Sequence, residues 1–196
     1  MVGAILAAAA VAGLVIALAR GAGEDGAQED ASRTNRGFAA KRALPATKLT
    51  ELTVAAEAAG CGLRRYPSEG RDHVAGQVRY RANPPTSGPH SPTPAGDGIY
   101  ADPPPTEELV HSLEHGRVII QYQEDVRAEA KVRLRALYRE DPRHVILTPN
   151  DTGMRFEVAA TAWRHRLGCP QLNDRVYDAL RAFRERYRDR APERVP

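Results

Sequence analysis

ELVHSLEHGRVIIQY, residues 108–122, changes its hydrophobic period in the middle. Up to Gly116 the apolar residues recur at helical spacing. From Arg117 the run RVIIQY is rich in β-branched residues and predicts a buried strand. Thr106 is placed to cap the helix, Glu107 and Glu108 suit its first turn, and Gly116 is a stop. The segment is therefore a short helix feeding a strand. At about 100° per residue, Leu109, Val110 and Leu113 fall on one side, while Glu107, Glu108, His111, Glu114 and His115 share an arc of about 120° on the other.

Helix and strand patterns continue on both sides, without an internal repeat. Leu49 to Ala59 predicts a helix, with Thr47 or Thr50 as cap and Gly60 as stop. Asp125 to Tyr138 carries an apolar stripe of Val126, Ala130, Leu134 and Leu137. A last helix, capped by Asn173 or Asp174, carries Val176, Leu180, Phe183 and Tyr187. Strands are expected at Leu63 to Tyr66, Gln77 to Tyr80, Arg117 to Tyr122, His144 to Thr148 and Phe156 to Trp163. Residues 81–106 are too dense in Pro and Gly for a helix or a central strand. The irregular alternation points to an α+β fold, a small mixed β-sheet with several packed helices, and not to a doubly wound one.

Upstream, Val2 to Ala19 is an uncharged apolar run long enough to span a bilayer as a helix. Residues 1–20 are read as a transmembrane anchor, with a cleaved signal peptide as the alternative. Residues 21–44 read as a flexible linker and 45–196 as a globular, exported domain. Arg20, after the apolar run, points the positive-inside rule weakly the other way. The two cysteines, Cys61 and Cys169, argue outward, as a structural disulfide formed in an oxidising compartment. Together these readings place the protein at the cell membrane, single-pass, with its domain on the extracytoplasmic side. Neither cysteine belongs to a C-x-x-C pair, so thioredoxin-like chemistry has no support. The net charge of +3, with basic and acidic residues interspersed, offers no stripe for nucleic acid.

His73, His90, His111 and His115 are four of six histidines and fall within one quarter of the chain. Imidazole nitrogens held one helical turn apart, beside carboxylates, are what zinc or copper accepts. Glu114 is then a general base or the partner that orients an imidazole. His111, Glu114 and His115 also match H-x-x-E-H, a short pattern that decides little alone. The plainer reading of HSLEH is an amphipathic helix with a solvated polar face. His144 and His165 are expected to pack or to face solvent, and Met154 and Trp163 to serve the core. No serine stands on a G-x-S-x-G turn, which argues against a serine hydrolase.

The chain resembles the domain-of-unknown-function 3105 family from about Leu49 to Glu193. The resemblance rests on AAGC (58–61), HV (73–74), NPPTSGPH (83–90), GIY (98–100), LVHSLEHGRVIIQY (109–122), TAW (161–163) and Cys169. It implies a single-pass anchor followed by one exported domain, and its motif histidines fall on His73, His90, His111 and His115. It supplies no activity. The leading expectation is a domain that binds zinc or copper through His90, His111 and His115, with His73 as a fourth ligand. Three protein ligands would leave a position open for hydrolytic or oxidative chemistry, and four would suit storage, transfer or structure. The rival is a metal-free envelope interaction module whose histidines clamp the Pro/Gly-rich loop by binding its carbonyls. A small-molecule site in the same cleft would need an apolar pocket. Beyond the membrane, no protein or small-molecule partner is named by the chain.

Overall fold

The computed structural model describes residues 43–193. The anchor and most of the linker read from the sequence lie outside the described residues. Among the described residues, no helix is long and apolar enough to cross a membrane.

Among the described residues, four helices flank one six-stranded mixed sheet. In chain order the elements are α1 (Leu52–Ala59), β1 (Gly62–Arg65), β2 (Gly98–Ile99), α2 (Thr106–Glu114), β3 (Val118–Gln123), α3 (Ala128–Glu140), β4 (Val145–Asn150), β5 (Val158–Ala162), β6 (His165–Cys169) and α4 (Val176–Tyr187). The strand order is β1-β6-β5-β3-β4-β2. β3 and β4 pair in parallel, as they must when joined by the crossover helix α3. β5, β6 and β1 add antiparallel neighbours on one side, and the two-residue β2 closes the other edge.

Alternation along β3 sorts the core. Val118, Ile120 and Tyr122 join α1, α3 and α4 in one large cluster. Ile119 lies in a second cluster with Leu109, Val110 and Leu113 of α2, together with Ile146 and Trp163. The one-residue offset thus puts α2 alone on its face of the sheet. Burying each large apolar side chain of α2 contributes about 1.5–3 kcal/mol, enough to fix the face that its polar residues present. Cys61 and Cys169 form a disulfide where β1 and β6 meet.

Several local expectations are corrected. Gln77 to Tyr80 is not a strand, because a side chain takes the place of a neighbouring strand: Val78 N–H donates to Glu107 Oε1 at 2.8 Å. Thr106 is not the cap of α2. Pro105 holds that position and Thr106 starts the first turn. Glu51, not Thr47 or Thr50, caps α1, accepting from the amides of Thr53 and Val54. Arg175 precedes α4 at the cap position, and Asn173 only braces the turn before it, its Oδ1 accepting from Arg175 N–H. The strand expected at 156–163 ends at Ala162, and after a turn at Trp163 and Arg164 a further strand, β6, returns beside it.

Candidate metal centre

α2 sets the floor of the site. Its apolar side is buried as the pattern requires, but the polar side is not solvated: His111, Ser112 and Glu114 are buried too. The Pro/Gly-rich loop covers them. Ser91 N–H and Ala95 N–H donate to the carbonyls of Glu107 and Glu108, and Ser112 Oγ–H donates to Ala95 O at 2.8 Å.

Beside it, residues 70–74 run parallel to residues 88–90. His90 N–H donates to Asp72 O, and Val74 N–H to His90 O. Gly88 makes the turn. Its φ of +135° is one that side chains avoid, and a Cβ there would lie 2.9 Å from the Tyr80 ring. Tyr80 in turn donates its hydroxyl to Pro89 O, and burial pushes that phenol's pKa up. The NPPTSGPH motif is therefore a backbone device that brings His90 under the loop.

Two overlapping sets of donor groups meet there. One donor atom from each of His73, His90 and His111 lies within 4.8 Å of the other two, and His111, His115 and Glu193 meet the same limit. His111 belongs to both groups. His90 is fully buried, whereas His73 stands on the exposed rim.

The ring nitrogens divide their work. His90 Nδ1 lies 2.8 Å from Gly88 O, and His111 Nδ1 lies 2.7 Å from Ser91 O. A carbonyl only accepts, so each Nδ1 carries a proton, which leaves Nε2 as the atom each ring can offer to a metal. His111 Nε2 is 2.9 Å from His115 Nε2. Metal–nitrogen bonds of about 2.0–2.1 Å set two ligands about 2.9 Å apart at a right angle and about 3.3 Å apart in a tetrahedron. His90 Nε2 faces Glu114 Oε2 at 3.0 Å, at hydrogen-bond distance but without hydrogen-bond alignment, so it has no partner. A lone pair on nitrogen and a carboxylate repel at that range unless a proton or a cation lies between them.

Burial pushes the pKa of His111 down, opposed by its bond to Ser91 and assisted by the neighbouring imidazoles of His90 and His73. Burial also lowers that of His115, again with help from His111, while Glu193 opposes the shift. Neutral imidazole is the metal-ligating form.

Glu193 was invisible to sequence reasoning. It reaches the site because the chain after α4 runs back along the end of α2: Asp189 N–H donates to Gly116 O, and Glu193 N–H to Glu114 O. Its Oε2 then lies 3.5 Å from His115 Nε2. Nothing in the basic tail RDRAPER marks its single glutamate as a neighbour of the histidines.

His144 and His165 stay outside the cluster. His144 pairs with Asp189 at 2.6 Å, and His165 bonds the Trp163 carbonyl and stacks on Tyr187. Met154 packs with Phe156 and Ala159, and Trp163 joins the core with its ring edge-on to His90. An open cleft of about 770 Å³ lies at the other end of α2, beside Tyr80 and Glu107, and none of the four histidines lines it.

The model of the family described as "Protein of unknown function (DUF3105)" matches residues 73–195, more than half of the chain. The match starts at the first histidine of the cluster and leaves AAGC (58–61) outside. No curated protein and no solved structure matches the chain.

Proposed function

We propose a function for this chain, which belongs to the DUF3105 family: a membrane-tethered, extracytoplasmic domain that binds one zinc or copper ion through its histidine cluster. His111, His115 and His90 are the ligands, with His73 as the fourth. The observation that carries this reading is the division of labour in His90 and His111. Each fixes its tautomer by donating Nδ1–H to a backbone carbonyl, and each presents Nε2 to the cluster. Metal-ligating histidines are held this way, their second nitrogen bonded to a carbonyl or carboxylate. The close, unaligned approach of Glu114 to His90 also favours a cation between them.

Glu114 is the proton-accepting group of the site, next to His90 and walled off from water by the loop. A metal ion held here would supply Lewis acidity or, as copper, electron transfer. The tether rests on the apolar run at residues 2–19, and the outward placement on the Cys61–Cys169 disulfide, a bond of oxidising compartments.

A second reading draws on the same bonds. His90 and His111 also tie the Gly88 and Ser91 carbonyls to α2, as a metal-free clamp would. Metal analysis of the full chain, purified without a metal-binding tag, separates the two. The expected result is about one equivalent of zinc or copper, lost in a His111→Ala/His115→Ala variant that keeps its fold. No bound metal after challenge with both ions leaves the clamp.

A further inference from the structure

A second cluster of like chemistry lies at the opposite kind of place, the β1–β6 edge of the sheet. Arg64 of β1 stands directly opposite Arg166 of β6 in the antiparallel register. Like charges facing each other across two strands destabilise the pair. The arginines that form ion pairs among the described residues are Arg117, Arg133, Arg143, Arg181, Arg184 and Arg188. Arg64 and Arg166 have no such partner, nor has Arg155, which lines the same cleft of about 460 Å³.

The three guanidiniums are held in place by two rings. Arg64 and Arg166 both lie over Tyr66, at 4.9 and 5.1 Å, and Arg166 and Arg155 both lie over Phe156, at 4.6 and 5.1 Å. Phe156 itself rests on Gly168, where a Cβ would come within 2.6 Å of the ring. Aromatic faces attract cations, but they carry no net charge and accept none of the in-plane N–H bonds. Arg166 is 7% exposed, spends Nη1–H on Asn83 O, and has a buried Nε–H with no acceptor. Arg64 and Arg155 are exposed and line the cleft.

We propose that Arg64, Arg155 and Arg166 form an oxyanion-binding cleft that takes a phosphate group, either free or as the phosphodiester of a lipid headgroup. Guanidinium forks match the oxygen spacing of phosphate, and a bound anion relieves the repulsion across β1 and β6. The cleft is independent of the histidine cluster and of the metal reading.

Calorimetric titration of the full chain with inorganic phosphate, and separately with glycerophosphoglycerol, tests it. The expected result is saturable binding of at least one anion, weakened with added sodium chloride and reduced roughly tenfold or more in Arg64→Gln and in Arg155→Gln. Both positions are exposed, and circular dichroism checks that the variants keep their fold. Binding should be unchanged in Arg139→Gln, an exposed control on α3, and in His111→Ala/His115→Ala, which separates it from an anion held on a metal. Preference for one anion names the source. Saturation by neither, or equal binding in all variants, overturns the proposal and leaves a cation–aromatic ladder that serves the fold alone.

Discussion

His90 Nε2 and Glu114 Oε2 approach to 3.0 Å inside the protein, one fully buried and the other nearly so. With Nδ1–H committed to Gly88 O, the pair is stable only with a positive charge between its members. Glu114→Gln offers His90 an amide N–H instead, so the metal-free fold should survive while metal affinity falls about ten- to a hundredfold. Glu114→Ala leaves a buried polar group alone and should cost about 1–3 kcal/mol in urea unfolding. Equal metal affinity in wild type and Glu114→Gln would remove the glutamate from the site.

Acid should weaken the fold in a defined window. Burial lowers the pKa of His165, partly offset by its bond to Trp163 O, and Arg65, Arg164 and Arg186 lower it further. His111 and His115 shift the same way. A depressed histidine pKa means that the unfolded chain takes up the proton first. The stability is then complete above the unfolded value of 6.5 and is lost as pH falls below it. Thermal melts of metal-free protein from neutral to mildly acid pH should show Tm falling. The slope should lessen in His165→Phe, which keeps a ring on Tyr187. A flat profile in the wild type would contradict the lowered pKa of all three.

Much of this site was legible in the chain, and the parts that were not have physical reasons. The switch of period at Gly116 identified α2 and β3, because both are governed by which residues face the core. The four histidines were visible as a compositional cluster, and the structure groups His73 and His90 with His111 on one side and His115 with His111 on the other. The burial of Glu114 and Ser112 was not legible, since it depends on a loop without periodicity folding over a polar helix face. Glu193 was hidden for the same kind of reason: its position follows from the route of the chain past Gly116. β6 escaped notice because HRLGC opens with two polar residues, and Arg166 is buried there only because Tyr66 and Phe156 receive it. Gln77 to Tyr80 looked like a strand by composition, but its backbone is bonded to a side chain.

Gly88 should be as sensitive as a ligand, although it offers no side chain. Gly88→Ala forces a Cβ against the Tyr80 ring at a φ that alanine avoids. The expected cost is about 1–3 kcal/mol. Displacing the Gly88 carbonyl also releases His90 Nδ1, so metal stoichiometry should fall together with Tm. Gly153→Ala, at a positive φ but with nothing within 4 Å of the added Cβ, should lower Tm without touching metal content. If both variants bind metal like the wild type, the turn does not set the position of His90.

The disulfide joins residues 108 apart and ties the end of α1 to the last residue of β6, next to the paired glycines Gly62 and Gly168. β1 is a fully exposed four-residue edge strand, held by one neighbour and facing an arginine of the same charge. A cross-link over a loop of that length constrains the unfolded chain by about 4–5 kcal/mol in the chain-entropy account. Reduction, or Cys61→Ser/Cys169→Ser, should therefore shift the urea midpoint strongly. The loss should concentrate at the β1 edge, where hydrogen exchange of Gly62 to Arg65 should speed up before that of β3 or β4. The histidine cluster lies beside the central strands and α2, so metal binding at low denaturant should survive reduction. Simultaneous loss of metal and of β1 protection would show that the edge and the site unfold as one unit.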